Sequence, residues 1–168
     1  MKIALAADHA GFEEKEKIKS TLDEIGVEYT DMGTNSLDSV DYPDYARKVG
    51  EAVARGEFDH GLLVCGSGTG MAISANKVRG IRAAVAWNAE TASLARQHNN
   101  ANVLAIGART SPEGTIPDIV KSWFAADSEV PAGSRFAQGT GLRGRDRAAS
   151  SLGLHARSDP PSLGGSRR

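Results

Sequence analysis

The sequence predicts an α/β protein with three layers, in which helices cover both faces of a five-stranded parallel sheet. Two observations predict this fold class. Short apolar runs alternate along the chain with segments whose apolar residues recur at helical spacing, and this alternation is typical of parallel sheets. The length of 168 residues suits one domain with a sizeable core and is short for two.

The elements of the first half are marked by their apolar patterns and their end signals. Strands are predicted at 2–7 and 27–33 from short apolar runs. The helix between them has its apolar residues on one face and ends at Gly26. A second helix over 41–56 has Pro43 near its start.

The second half continues the alternation of strands and helices. In chain order it contains strand 60–65, a helix that ends at Ala75, strand 81–87, helix 88–98, strand 102–107 and a last helix over 116–124. The last helix has the clearest helical period of apolar residues. The complete pattern therefore contains five strands, each followed by a helix.

Residues 127–168 differ in composition from residues 1–126, and we divide the chain at that point. The first part is expected to form the domain. The second part contains seven Arg, no Lys, seven Gly and seven Ser, a composition that buries too little apolar surface to order itself. We interpret it as a solvated or partner-bound tail, and the alternative is a segment that binds an anion or a second subunit.

The composition excludes several classes of protein. A formal net charge of −1 gives no global field that would attract nucleic acid or a membrane surface. No apolar run reaches the roughly 18 residues of a spanning helix, and the apolar N-terminus is followed at once by Asp8 and His9, unlike a signal peptide. The single cysteine fits a reducing cytoplasm. We therefore expect a cytoplasmic protein whose partners include neither nucleic acid nor a membrane.

The strongest functional signal is a glycine-rich loop that follows the third predicted strand and leads into a helix. The loop consists of Cys65, Gly66, Ser67, Gly68, Thr69 and Gly70. Ligands bind beyond the carboxyl ends of parallel strands, where glycines let the backbone and its free N–H groups approach an anion. The alternative is a tight strand–helix turn that is needed only for packing.

Three better-known anion-binding loops are excluded by their missing residues. A dinucleotide fingerprint needs Gly at position 71 and a cysteine phosphatase loop needs Arg there, but this sequence has Met71. A nucleotide-binding loop of the Walker type needs Gly-Lys-Ser or Gly-Lys-Thr, which this segment lacks. All three alternatives therefore lack their key residue.

Cys65 itself has two interpretations. A lone cysteine at the end of a strand is most often a small buried apolar residue. In a loop before a helix N-terminus, however, a thiolate is stabilised, and a thiolate there can remove a proton from carbon. The location favours a chemical role for Cys65, although the residues alone leave the structural alternative open.

Further polar residues flank the predicted strands. Asp8 and His9 end the first strand, His98 and Asn99 precede the fifth, and Arg109 follows the fifth. If the sheet is parallel, we expect all five to converge with Cys65 at one edge. Taken singly, each has a structural explanation as a helix cap, a helix-end cation or a surface charge. His60 has no such placement, and we interpret it as structural.

Several segments together resemble ribose-5-phosphate isomerase type B and the related galactose-6-phosphate isomerase subunits. These segments are AADHAGFEEK, DMGT, DYPDYA, VCGSGTGMAISANKVRGIRAAV and RQHNNANVLAIGAR. The resemblance covers roughly residues 1–125, and the run from Cys65 to Arg82 is very specific to the family. It implies a Rossmann-like sandwich and a homodimer, often paired into a tetramer, with active sites between subunits.

The resemblance also implies roles for the candidate residues. The base in this family is a Cys or a Glu, and the Glu branch carries it directly after the glycine loop, where this chain has Met71, so Cys65 is the expected base. Asp8 and His9 correspond to sugar and phosphate contacts, His98 to the acid for ring opening, and Asn99 and Arg109 to further ligand contacts. Two phosphate-binding arginines follow the last helix in the family, and Arg135 is the nearest match to the first of them.

The implied function is the interconversion of ribose 5-phosphate and ribulose 5-phosphate through a cis-enediolate, with neither a metal nor a cofactor. His98, with Asp8 nearby, would open the ring, and the Cys65 thiolate would then remove the C2 proton. Loop N–H groups would stabilise the developing charge, and Ser67 would hydrogen-bond the two oxygens. A tetrose 4-phosphate or a hexose 6-phosphate would suit the same loop, and a non-catalytic sugar-phosphate-binding protein is the alternative from another class.

Overall fold

The fold is a three-layer α/β/α sandwich in the computed structural model of the chain, which describes residues 1–130. Its elements are β1 (Lys2–Ala7), α1 (Phe12–Glu24), β2 (Glu28–Asp31), α2 (Tyr42–Ala54), β3 (His60–Cys65), α3 (Thr69–Ala75), β4 (Ala83–Val85), α4 (Ala89–Asn99), β5 (Val103–Gly107) and α5 (Ile116–Ala125). The predicted alternation is confirmed, although β2 and β4 are shorter than the apolar runs at 27–33 and 81–87.

All five strands are parallel and lie in the order β2-β1-β3-β5-β4, so the predicted fold class is confirmed. The three central strands β1, β3 and β5 are buried along nearly their whole length, as expected for a sheet covered on both faces. The ends of these strands lie side by side, because Ala7 pairs with Val64 and Cys65 pairs with Gly107. Residues that follow β1, β3 and β5 therefore meet at the carboxyl edge of the sheet.

Two apolar cores flank the sheet, because side chains of one strand alternate between its faces. Ile3 and Leu5 of β1 belong to the core that includes α1, α4 and α5. Ala4 and Ala6 belong to the opposite core, which includes α2 and α3. Cys65 lies in this second core, together with residues of α2 and α3.

A buried lysine connects α1 to the end of β2. The side chain of Lys15 is 1% exposed and forms ion pairs with Asp31 and Glu16. Asp31 also pairs with Lys19 at 2.8 Å and accepts the Gly33 N–H at 3.0 Å. Burial raises the pKa of Asp31, but the hydrogen bonds from the two lysines outweigh that effect and hold its pKa below the ordinary value.

The predicted domain boundary falls directly after the last helix, since α5 ends at Ala125. Of the predicted tail at 127–168, only residues 127–130 are described. Arg135 and the prediction that the tail stays unordered therefore lie outside the described residues. Among residues 1–130, no helix has the length and hydropathy needed to cross a membrane.

Candidate active site

Cys65 ends β3 with its sulfur directed at the glycine-rich loop. The residue is 5% exposed, and its Sγ accepts a hydrogen bond from the Gly68 N–H at 3.2 Å. The Ala108 N–H binds the Cys65 carbonyl at 2.8 Å and fixes the strand end against β5. The sulfur is therefore held within hydrogen-bond distance of the backbone of its own loop.

Two glycines allow the loop to lie directly on the end of β5. Gly68 has a φ of 75°, in the left-handed region, and a Cβ at this position would lie 3.0 Å from the carbonyl carbon of Ile106. A Cβ at Gly107 would lie 2.1 Å from the Thr110 Oγ1 and 2.7 Å from the carbonyl carbon of Ser67. The loop, including Ser67, Thr69 and the first turn of α3, is therefore held in place by backbone packing.

Asp8 lies beside the end of β3, next to Cys65 along the carboxyl edge. Its N–H donates to the Val64 carbonyl at 3.3 Å, and its Oδ1 accepts the Gly11 N–H at 3.0 Å. A Cβ at Gly11 would lie 2.5 Å from the Val64 oxygen, which shows how closely the turn after β1 approaches β3. Asp8 is 5% exposed, so a carboxylate is fixed at the edge of the loop.

His9 and Arg109 share a cavity of about 290 Å³ on the same edge. The His9 Nδ1 accepts the Val40 N–H at 3.2 Å, which leaves the Nε2–H free to donate. The Arg109 side chain passes close to Gly66, since a Cβ there would lie 3.8 Å from its Nη1. Glu13 and Glu14 also line the cavity, so its charge is mixed.

The ring of Tyr42 forms a wall of the loop that the sequence did not single out. It lies over Gly70, where a Cβ would come within 2.8 Å of the ring, and the residue is 41% exposed. The available signal was its position at the start of α2, ahead of Pro43, within a segment that resembles the family.

His98 and Asn99 do not converge with Cys65 in the same chain, and the expectation that all five residues share one edge is wrong. Asn99 ends α4, and Asn102 behind it donates its backbone N–H to Arg82 and accepts the N–H of Gly61 at the start of β3. The rise of β3 from Gly61 to Cys65 is about 13 Å. A helix in a parallel α/β fold runs back across the sheet, so its C-terminus lies at the edge where the strands begin.

The described residues therefore group at opposite edges. The carboxyl edge carries Asp8, His9, Cys65, Gly66, Ser67, Gly68, Thr69, Gly70 and Arg109. The amino edge carries His98 and Asn99, whose side chains are exposed. Within residues 1–130, no three His, Cys, Asp or Glu side chains are grouped as metal ligands.

Comparison with known proteins identifies close relatives. The model of the ribose/galactose isomerase family matches residues 3–138. The chain is 48% identical over 128 residues to ribose-5-phosphate isomerase B of Escherichia coli (strain K12), covering 76% of this chain and 86% of the relative. It is 37% identical over 137 residues to D-erythrulose-4-phosphate isomerase 2 of Mycolicibacterium smegmatis, covering 80% of this chain and 90% of the relative. The structure of ribose-5-phosphate isomerase B from Clostridium thermocellum matches with a TM-score of 0.78 at 44% identity, covering 90% of this chain and 100% of that chain.

Proposed function

This chain belongs to the ribose/galactose isomerase family and is a sugar-phosphate isomerase, and from that premise we propose that it interconverts ribose 5-phosphate and ribulose 5-phosphate. The observation that supports this chemistry most directly is the Cys65 sulfur, which is buried at the carboxyl edge and accepts a backbone N–H from its own loop. A base in that position can meet a substrate carbon that lies over the loop.

The proposed reaction moves one proton between adjacent carbons of the open-chain sugar. The Cys65 thiolate takes the C2 proton, and the electrons of that C–H bond form the C1–C2 double bond of a cis-enediolate as the C1 carbonyl becomes an oxyanion. The proton on O2 passes to O1, assisted by the Ser67 hydroxyl, and the thiol then returns its proton to C1. Loop N–H groups, each worth about 3 kcal/mol when aimed at a developing oxyanion, stabilise the intermediate.

The phosphate end of the substrate is proposed to lie in the cavity of His9 and Arg109. The Nε2–H of His9 and the guanidinium of Arg109 are suitable donors to phosphate oxygens. Lys17 is paired with Glu14 at 3.1 Å, and Glu13 also lines the cavity, so the two carboxylates offset much of its positive charge. A further cation is therefore proposed to complete the phosphate site, and Arg135 is our candidate for it.

His98 and Asn99 are proposed to act in the site of a second copy of this chain. Both are exposed, at the edge of the sheet opposite Cys65, so a homodimer or tetramer with sites between subunits would bring them to a partner's loop. Large apolar side chains are also available for such an interface, since Ile73 is 56% exposed and Trp87 is 58% exposed. In that site His98 would move the proton between the ring oxygen and the anomeric hydroxyl during ring opening.

A tetrose 4-phosphate is the second candidate substrate, because the chain also resembles an erythrulose-4-phosphate isomerase. A coupled isomerase assay over aldose phosphates with four, five and six carbons decides between the candidates. We expect the highest kcat/KM with ribose 5-phosphate. A higher kcat/KM for the tetrose or the hexose would reassign the substrate. No turnover of any of them, combined with a ligand-induced rise in melting temperature, would indicate a non-catalytic binding protein.

A further inference from the structure

The corner between α4 and β5 is held by side chains that reach it from outside. Asn100 has a φ of 45°, the one positive φ of a non-glycine residue among residues 1–130. The guanidinium of Arg96 donates to the carbonyl of Ala101 at 2.6 Å, and the Nε–H of Arg82 donates to the carbonyl of Asn99. Two arginine side chains thus hold the backbone carbonyls on either side of Asn100, at Asn99 and Ala101.

The backbone of Arg82 is held through both its N–H and its carbonyl by Asn102. Its N–H donates to the Oδ1 of Asn102 at 2.8 Å, and its carbonyl accepts the Asn102 N–H at 3.0 Å. The Nδ2 of Asn102 donates to the Gly80 carbonyl at 2.9 Å. Arg82 therefore extends from a fixed backbone at the start of β4 to the last residue of α4.

Helix C-terminal carbonyls need partners in any protein, so a bond from Arg82 to Asn99 can serve stability alone. What distinguishes this corner is the pair of residues that it presents. His98 and Asn99 are exposed and lie at the edge opposite the rest of the site of the same chain. A group that acts in a partner's site depends on the placement of its backbone, because side chains that take part in chemistry must be held to within about 0.5 Å.

We infer that Arg82 is a positioning residue, whose side chain fixes the end of α4 so that His98 reaches the site of the partner copy. This inference rests on the proposed function. Arg82 is not itself expected to touch the substrate. Its contribution should pass through His98, so its loss should matter only while His98 is present.

Two substitutions of equal length isolate the hydrogen bond. Arg82→Met places a methyl group where the Nε of Arg82 stands, whereas Arg82→Gln keeps an N–H donor at that position. Arg79→Met, at an exposed arginine three residues earlier, is the control for loss of a surface charge. Each is measured with ribose 5-phosphate in the wild type, and Arg82→Met is also measured in a His98→Asn background.

We expect Arg82→Met to lower kcat by at least about tenfold, because a displacement near 1 Å of a reacting group can cost up to about a hundredfold. In the His98→Asn background the same substitution should lower kcat by about threefold or less, since the effects of two substitutions that act through one group are not additive. Arg82→Gln and Arg79→Met should stay near the wild type.

The inference would be overturned if Arg82→Met lowered kcat by the same factor in both backgrounds or did not lower it. It would also be overturned if Arg82→Met failed to fold, because Arg82 would then be a structural residue. A wild type that turns over no aldose phosphate would instead remove the proposed function, and the inference with it.

Discussion

Mixing two variants of strongly reduced activity tests whether one site is built from two chains. Cys65→Ala removes the proposed base, and His98→Asn removes the proposed acid. Within one chain, Cys65 ends β3 while His98 lies beyond the beginning of the same strand, and the strand rise alone separates these edges by about 13 Å. A single substrate carbon skeleton cannot bridge both residues of one chain.

The expected recovery follows from the symmetry of a dimer. In a heterodimer of the two variants, one site combines the native Cys65 of one chain with the native His98 of the other, and the second site lacks both. Half of the sites in each heterodimer are then intact, and half of the dimers are heterodimers after random assembly. The mixture should therefore recover about a quarter of wild-type activity, as a two-fold symmetric arrangement requires.

The assay is turnover of ribose 5-phosphate after co-expression of the variants with different affinity tags. The tags measure the heterodimer fraction independently of activity. Doubly purified heterodimer should approach half of the wild-type rate per chain. If the verified heterodimer were no more active than the two parents, each site would lie within one chain, and the reasoning from the two edges of the sheet would be refuted.

Three further predictions concern the stability of the fold and the geometry of the loop. Burial lowers the pKa of His60 from 6.5 to about 4, with Arg96 adding to the effect. The unfolded chain therefore binds this proton first, and stability should fall by up to about 3 kcal/mol as the pH drops from 7 to 4. His60→Leu should flatten that pH dependence of the melting temperature, and an unchanged slope would contradict it. Asp31→Asn should lower the free energy of unfolding, measured with urea, by about 3 kcal/mol, because it leaves the buried Lys15 with Glu16 as its one acidic partner. Lys15→Met should lower it by less, since Asp31 keeps its ion pair with Lys19. The reverse order would show that the lysine is not the group that needs pairing. Gly68→Ala should lower kcat by at least about tenfold by displacing the N–H that binds Cys65, since a residue with a Cβ at this φ is strained and meets Ile106. Gly26 has a similar φ, but a Cβ there would have no atom within 4 Å, so Gly26→Ala should lower stability and leave kcat unchanged. Equal loss of kcat in Gly68→Ala and Gly26→Ala would count against a specific effect at the loop.

The alternation of apolar runs was sufficient to predict the fold class, because parallel strands buried on both faces leave a periodic signal in the sequence. The same rule correctly placed the residues after β1, β3 and β5 at one edge. It should also have placed His98 at the other edge, since a helix that follows a strand returns to the edge where the strands begin. His98 is close in sequence to β5, but the end of β5 that it precedes is the amino end.

Other features depend on packing that no periodicity reports. The burial of Lys15 could have been suspected, because it shares a helical face with Phe12 and Ile18, but its partner Asp31 lies on the next strand and is identified only by the fold. Likewise, the ring of Tyr42 is brought to Gly70 by the packing of α2 on α3. Local sequence predicts elements well, whereas contacts between elements require the assembled sheet.

The central claim is that Cys65 is the base of a sugar-phosphate isomerase, and the direct test is turnover by the wild type and by Cys65→Ala. Cys65→Ala removes only the sulfur atom and leaves the Cβ as a methyl group, so binding can be checked separately by the ligand-induced rise in melting temperature. We predict that the wild type isomerises ribose 5-phosphate and that Cys65→Ala loses about a thousandfold in kcat while still binding the substrate. A variant that keeps more than about a tenth of wild-type kcat would contradict the assignment, since a general base contributes at least about a hundredfold.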